Sequence, residues 1–371
     1  MVRKTNTPSF VLELALQTTP ADERRLARGL FVAATRLNNT LLQQGLRIVQ
    51  ALRSDPAWDA ARKMPRTTGE QRKSRAQAFS EVRKAHGFTE YDFQGLAIHH
   101  KNAAGFHGRI PSHVAQKLGT KVFSALEQYV LGARGKPRFK SARRALHSVE
   151  GKNNEAGVRW NEDDGCVYLE STWAIAARMP DLRKDEWLWT ALRAPTKYCR
   201  ILWRIERGTK RWYVQLVQEG LAPLKATVAA RLADVAKDAT VGIDIGPSQL
   251  AWCSETEAGL FTFCAEVQEP QRLVRRLQRK ADRQRRANNP DNFEPDGTVK
   301  KGRKTWVRSK RQGRTEQALR SAQSRTAARR KQAHGRDINR LLGKGRHFLH
   351  DGVSAKSLQK NFGKSVGARA P

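Results

Sequence analysis

Apolar and polar positions follow two different periods along the chain. Residues 10–17 alternate as a first strand does, and Thr19, Pro20 and Asp22 then read as an N-cap, a first-turn proline and an acidic residue at the third helical position. Apolar residues next recur every three or four positions, which predicts a long amphipathic helix with one basic side. These are Leu26, Leu30, Leu37, Leu41, Leu46 and Val49.

A second helical stripe follows a less regular stretch. Residues 55–109 are polar and basic with weak periodicity, and Ile110-Pro111-Ser112 then opens a helix with one apolar side. We therefore expect residues 20–132 to form a helical unit. The apolar stripe consists of Val114, Leu118, Val122, Leu126 and Tyr129.

The period changes to two beyond residue 158. Residues 199–205 alternate, and RWYVQLVQE alternates again after RGTK, which predicts a hairpin in a small antiparallel barrel that includes the first strand. Residues 221–239 are typical of a linker or a short helix. TVGIDIG, LAWCSE and GLFTFCAEV then predict three strands with short turns, and a basic helical segment follows.

The charge of the chain indicates a polyanionic partner. The 371 residues carry a formal net charge of +35, although an apolar content of 39% is sufficient for a folded core. Residues 271–340 alone contain 23 Lys and Arg against six Asp and Glu, an excess of 17. Nucleic acid is therefore the expected partner.

The cysteines and the N-terminus predict a cytoplasmic protein. Cys166, Cys199, Cys253 and Cys264 lie far apart and form no CxxC pair, so we expect neither a zinc site nor a disulfide framework. The short apolar run near the N-terminus contains a glutamate, and no apolar stretch is long enough to span a membrane.

Asp244 lies within the apolar run VGIDIG, where an ionised carboxylate needs a cation or an open cleft. Gly242, Asp244 and Gly246 share one face of the predicted strand, which leaves room for a phosphate or a metal. A strand aspartate that opens a three-stranded meander before a helix is typical of the RNase H-like fold, whose carboxylates bind divalent cations. Two alternatives remain open: a strand-end aspartate bonded to backbone amides, and the phosphate-binding DIGPS hairpin of actin-like ATPases and sugar kinases.

Three basic segments are candidates for nucleic-acid binding. They are GKPRFKS at 135–141 and the two runs that begin near residues 271 and 299, where Phe293 and Trp306 are interleaved for base or sugar contact. The alternatives are a solvated basic face and, for the first segment, a linker loop with Phe139 in the core. The candidate residues are Lys136, Arg138, Lys140, Arg272, Arg275, Arg276, Arg279, Lys280, Arg283, Arg285, Arg286, Lys304, Trp306, Arg308, Lys310 and Arg311.

The order of these features resembles a known family. RLNNTLL in a capped helix, GKPRFKS, the WYVQL hairpin, GIDIG and RLQRKADRQRRANNPDNF together resemble the TnpB family of transposon-encoded nucleases and the related compact type V CRISPR effectors. The resemblance implies an α+β, multidomain protein that binds a noncoding guide RNA and target double-stranded DNA beside a short motif. In that family Mg²⁺ at a RuvC site supports DNA cleavage.

The resemblance also implies a domain layout and a second acidic residue. A wedge-type β-barrel would comprise residues 1–19 and 133–225, with a helical recognition unit at 20–132 inserted. A linker at 226–239 would lead to a RuvC-like domain at 240–371 with a bridge-like helix at 270–290. Asp244 matches the first catalytic and metal-binding aspartate of the family, and Asp351 lies near the position of the second acid.

Two departures from the family pattern lead us to expect weak or absent cleavage. Aspartate at 351 is shorter than the usual glutamate, and the preceding LGKGRHFLH is less apolar than a buried strand should be. The sequence also stops at Pro371, before the zinc ribbon and third aspartate of the family, so we expect an incomplete RNase H-like domain. Two other functions remain alternatives: general RNA binding without a guide, and ATP-dependent phosphotransfer.

Overall fold

The computed structural model describes residues 7–141, 145–169, 172–181, 183, 185–206, 208–236, 238–246, 248–352 and 363. The chain divides into two compact units. Unit 1 comprises Met1–Ile205 and Lys210–Pro223, and unit 2 comprises Glu206–Thr209 and Leu224–Pro371.

Unit 1 begins with β1 (Ser9–Ala15) and continues into helices. The Thr19 hydroxyl accepts a hydrogen bond from the Asp22 amide and the Asp22 carboxylate accepts one from the Thr19 amide, so the predicted capping box is confirmed. A π-helical stretch at Arg25–Phe31 joins the first two helices. The helices are α1 (Pro20–Arg24), α2 (Val32–Ser54), α3 (Pro56–Lys63), α4 (Gly69–Ala85), α5 (Glu90–Ala103) and α6 (Ser112–Val130).

The weakly periodic stretch 55–109 contains three of these helices, and their first residues explain why. The side chains of Asp55, Thr68 and Thr89 each cap a helix, and the latter two form complete capping boxes. α4 buries only Val82, so its sequence carries little apolar periodicity although its start is strongly marked. Here the capping signals predict the helices better than the hydrophobic pattern does.

The strands of unit 1 form two sheets. One sheet has the order β1-β7-β6-β2 with antiparallel neighbours, and the other has the order β3-β4-β5. The elements after α6 are β2 (Ser148–Glu150), β3 (Val158–Asn161), β4 (Cys166–Leu169), β5 (Trp173–Ala176), α7 (Glu186–Leu192), β6 (Thr196–Glu206) and β7 (Thr209–Glu219).

The predicted closed barrel is not present in the part of unit 1 that the structure describes. Closure requires the two edge strands of a sheet to be paired along their length. β2 spans only three residues, and β1 instead continues towards the second sheet through a single bridge between Leu16 and Ala177. The α+β class is confirmed, and the predicted domain boundaries remain predictions.

A buried carboxylate joins α6 to the first sheet. Glu150 on β2 is 7% exposed and lies 3.0 Å from Lys121 Nζ, 3.6 Å from Lys117 Nζ and 2.9 Å from Arg200 Nε. Burial alone raises the pKa of Glu150, but the nearby cations outweigh burial and hold that pKa below its usual value. The carboxylate therefore remains charged, and it fixes the helix against the strand.

α5 and α6 come into backbone contact at Gly119. A Cβ atom at this position would lie 2.3 Å from the carbonyl oxygen of Phe93. We expect Gly119→Ala to lower the free energy of unfolding by about 1–3 kcal/mol, because the two helices must separate. Gly95→Ala on α5 is the matched control, since its Cβ would have no neighbour within 4 Å, and we expect it to add about 0.5–1 kcal/mol. Urea unfolding measures both, and equal effects would contradict the contact.

Unit 2 contains one four-stranded sheet with the order β10-β9-β8-β11. β8, β9 and β10 form the predicted antiparallel meander, and β11 pairs in parallel with β8. The elements are α8 (Ala226–Ala233), β8 (Thr240–Ile245), β9 (Gln249–Cys253), β10 (Ala258–Thr262), α9 (Gln268–Ala287), α10 (Lys310–Leu342) and β11 (His347–His350).

β11 is a strand despite its polar sequence, because it lies at the edge of the sheet and is largely exposed. Two contacts hold it in place. A Cβ at Gly345 would lie 2.5 Å from a Val241 methyl group, so only glycine permits this approach. Arg346 donates hydrogen bonds to the carbonyls of Leu232 and Val235 near the end of α8. The low apolar content of LGKGRHFLH thus fits the exposed edge position of β11 among the described strands.

Candidate carboxylate cleft and nucleic-acid interface

Asp244 and Asp351 occupy equivalent ends of two neighbouring parallel strands. Leu349 pairs with Gly242 and His350 with Ile243, so the next step along each strand places Asp351 beside Asp244. Neighbouring strands lie about 4.8 Å apart, and residues in parallel register point to the same face. Both aspartates line an open cleft of about 790 Å³. The structure thus brings together the two predicted acidic residues.

The middle of the cleft floor is lined by small side chains, with Leu349 of β11 and Leu260 of β10 on either side. Gly242 lies opposite Cys253, and Asp244 lies opposite Ala251 on β9. Ala258 on β10 follows in the same row as Cys253. Asp244 is exposed, so the carboxylate faces the cleft and solvent without a burial cost. An ionised carboxylate is therefore tolerated in this apolar strand, because the end of the strand opens onto the cleft.

The donors of the cleft suit one hard divalent cation. Mg²⁺ is commonly held by one or two carboxylates, with water and substrate phosphates completing its coordination. Asp244 and Asp351 supply such a pair. Among the described residues, no group of three or more His, Cys, Asp or Glu side chains is arranged to hold a metal. Phosphate and water would have to provide the remaining ligands.

α9 presents its cations on an open face. Val274 is buried and Leu273 and Leu277 are half-buried, so this stripe forms the packed side of the helix. The opposite side carries exposed cations, and within the described residues Arg286 is the one that pairs with an acid, Asp282 at 2.9 Å. Such unpaired charge is what a phosphate backbone would neutralise. The exposed cations are Arg272, Arg275, Arg276, Arg279, Lys280, Arg283 and Arg286.

Asn39 holds the GKPRFKS segment of unit 1 in place. The sequence pattern did not indicate Asn39 as a functional residue. The Asn39 amide donates to the Lys140 carbonyl at 2.8 Å and accepts from the Lys140 amide at 2.9 Å. Lys136 and Arg138 are exposed, and Phe139 is 54% exposed. The alternative of Phe139 as a core residue is therefore wrong. The signal in the sequence was the asparagine in RLNNTLL, because an asparagine side chain can form the backbone hydrogen bonds that a neighbouring strand would form.

A second feature that the sequence did not reveal surrounds Lys210. Its ammonium group lies 4.3 Å from the ring centre of Trp203 and 4.4 Å from that of Trp212. Burial lowers the pKa of Lys210. Burial, Lys140 and Lys210 together lower the pKa of His147, which places these three groups in one electropositive cluster. Alternation predicted the strand faces but not which side chains would meet across them.

The remaining predicted residues flank the start of α10. Lys304 is half-buried, and Lys310 and Arg311 are exposed in the first turn of the helix. Arg308 forms an ion pair with Glu316 at 2.7 Å. Arg285 and Trp306 contact each other, with the guanidinium carbon 3.9 Å from the ring centre. Part of the predicted set is thus engaged within the fold.

Comparisons with known proteins give distant structural neighbours. No protein-family model matches the chain, and no curated protein matches it. A cryo-EM structure of the Cas12f1–sgRNA–target DNA complex is 11% identical, covers 98% of this chain and 88% of its own, and has a TM-score of 0.40. A cryo-EM structure of a CRISPR–Cas12f ternary complex is 10% identical, with coverages of 93% and 81% and a TM-score of 0.25.

In the part of the chain that the structure describes, no helix is both long enough and apolar enough to cross a bilayer.

Proposed function

We propose that the chain is an RNA-guided DNA-binding protein of the TnpB and compact type V effector lineage. Its partners are a noncoding guide RNA and target double-stranded DNA beside a short motif, and its unit 2 is a RuvC-like domain of the RNase H type. The supporting observation is the parallel pairing of β11 with β8, which brings Asp351 beside Asp244 in one cleft. Unit 1 corresponds to the proposed wedge-type and helical recognition domains.

The proposed division of labour follows from the charges. Base pairing between guide and target selects the sequence, while the protein binds backbone and shape. The exposed cations of α9 and of the 135–141 segment supply sequence-independent phosphate contacts. Actin-like ATPases also build on an RNase H-like sheet, but they need no such excess of positive charge. The charge therefore favours nucleic acid over ATP as the ligand.

Asp244 and Asp351 are the residues that would hold Mg²⁺ in this cleft. When bound, the cation would activate water and stabilise the leaving oxygen of a phosphodiester. The two carboxylates would hold the cation at the ends of β8 and β11. The small side chains of the floor, Gly242 and Ala251, allow a nucleic-acid strand to approach closely.

Sequencing the RNA that copurifies with the chain, expressed from its native locus, tests this proposal. We expect one dominant structured RNA, and we expect the complex to retain DNA that matches the variable end of that RNA over a scrambled duplex. A random RNA pool with no preference for matched DNA would favour general RNA binding and would reject the guided function. Incubation with Mg²⁺ then separates a nuclease from a binding protein.

A further inference from the structure

Residues 288–309, which we call the connecting loop, join α9 to α10 and are locked at their base by a buried asparagine. Asn289 is 6% exposed. Its Nδ2 donates to the carbonyls of Arg285 and Val307, both at 2.9 Å, and its Oδ1 accepts from the Val307 amide at 2.6 Å. The Asn289 side chain therefore forms hydrogen bonds to the backbone on both sides of the loop base, as a neighbouring strand would.

Two further asparagines extend this lock. Asn288 Nδ2 donates to Ser309 Oγ at 3.1 Å and to Gln312 Oε1 at 2.9 Å. Asn292 Nδ2 donates to the Thr305 carbonyl at 2.8 Å. Long loops without regular structure are uncommon in compact domains unless they are functional or disordered, and this loop is held at several points. It is therefore a built element and not a flexible linker.

The first half of the connecting loop closes on itself in a tight turn. Phe293 and Val299 form an antiparallel bridge. Gly297 between them has φ +80°, a conformation that favours glycine. Asp296 Oδ1 accepts hydrogen bonds from the Thr298 amide at 2.8 Å and from its hydroxyl at 2.7 Å, and these bonds lower the pKa of Asp296. The Asp296 carboxylate is thereby hydrogen-bonded within the turn.

The aromatic residues of the loop pack against arginines of α9. The guanidinium of Arg285 lies 3.9 Å from the ring centre of Trp306, and that of Arg286 lies 5.5 Å from the ring centre of Phe293. The two rings also contact each other at 5.8 Å with an interplanar angle of 74°. Phe293 is half-buried and Trp306 is 38% exposed. These rings serve to hold the loop against the helix.

Residues 300–303 offer positive charge to a ligand, whereas Asp291, Glu294 and Asp296 in the first half of the loop are exposed acids. Lys300, Lys301 and Arg303 are exposed, and none of them forms an ion pair within the described part of the chain. Binding to single strands without sequence preference relies on free aromatic faces as well as cations. Contacts to a duplex backbone need only donors and positive charge at fixed positions.

We infer that the connecting loop binds the phosphate backbone of double-stranded nucleic acid and does not bind unpaired bases. The loop is fixed by its asparagines, so its cations meet a regular backbone without an added ordering cost. The inference rests on the proposed function for the class of ligand, which is nucleic acid. It adds that the nucleic acid is double-stranded and that the connecting loop contacts it.

The test compares two triple variants of the full chain. One replaces Lys300, Lys301 and Arg303 by glutamine, and the control replaces Arg62, Lys63 and Lys73, which are exposed cations of α3 and α4. The probes are a DNA duplex, an RNA–DNA hybrid and the corresponding single strands of equal length, each titrated across a range of salt. We expect the loop variant to flatten the salt slope on the duplex probes by about 2.7, because three phosphate contacts are lost.

The outcomes distinguish the role of the connecting loop from the proposed function of the whole chain. Loss confined to the loop variant on DNA duplex or hybrid supports the inference, and the more affected probe identifies the natural ligand. Equal loss on single strands or equal loss in the control variant would overturn it. If the unaltered chain binds none of the probes, the proposed function itself fails. Circular dichroism of each variant checks that its overall helix content is unchanged.

Discussion

Replacing four arginines along one stripe of α9 by glutamine lowers the affinity of the chain for RNA by about 100-fold or more at physiological salt, by analogy with other phosphate-binding proteins. Arg272, Arg276, Arg279 and Arg283 recur at helical spacing, and all four are exposed. Glutamine retains helix propensity and removes only the charge. The expected loss follows from the release of counterions, which makes binding both strong and salt-dependent.

The salt dependence of that variant provides the sharper measurement. Losing four contacts to single-stranded RNA should flatten the slope of log K against log salt by about 2.8. Arg62, Lys63, Lys73 and Lys84 are exposed cations of unit 1, and replacing them by glutamine gives a matched change in net charge. If the two variants behave alike, net charge explains binding, and α9 has no particular role. Filter binding at several salt concentrations distinguishes these results.

Asp244→Asn weakens the binding of a divalent or trivalent cation in the cleft of unit 2. Trp252 lines the same cleft, so it can sensitise the luminescence of bound Tb³⁺. We expect the apparent affinity for Tb³⁺ to fall by more than about tenfold, since one of two carboxylate ligands is lost. Mg²⁺ should compete for the site in the unaltered chain, and Trp252→Phe should abolish the signal.

A double-mutant cycle strengthens this prediction. If one cation bridges both carboxylates, Asp351→Asn should match Asp244→Asn, and the double variant should be little worse than either single variant. Asp238→Asn is the control, because Asp238 is an exposed acid just before β8. Additive losses would mean that the two aspartates bind separate ions, and an effect of Asp238→Asn would point to non-specific binding.

The sequence predicted the local features of the candidate site well. The glycine-flanked strand around Asp244 and the alternation of β8 to β10 predicted the meander, and the charge pattern predicted the exposed side of α9. These signals are local, because strand period and helix period are set by neighbouring residues. Asp351 came from the family resemblance, and the structure places it beside Asp244 through a pairing across more than 100 residues.

The features that the sequence did not predict depend on distant contacts. Barrel closure in unit 1 requires specific pairing of edge strands, which alternation cannot specify. The exposed state of Phe139 and the packing of Trp306 on Arg285 depend on which neighbours the fold supplies. The low apolar content of LGKGRHFLH did not reveal that the segment pairs with β8, because an edge strand does not need the apolar content of a buried one. In each case the residue type was visible in the sequence and its partner was not.

The most direct test of the shared metal centre is to replace Mg²⁺ by Fe²⁺ and generate hydroxyl radicals, which cut the polypeptide near the bound ion. The account predicts cuts in two segments, around Asp244 at the end of β8 and around Asp351 after β11, and both should disappear with excess Mg²⁺ or in Asp244→Asn. Cuts in only one segment, or cuts that Mg²⁺ does not suppress, would contradict a cation held jointly by the two aspartates.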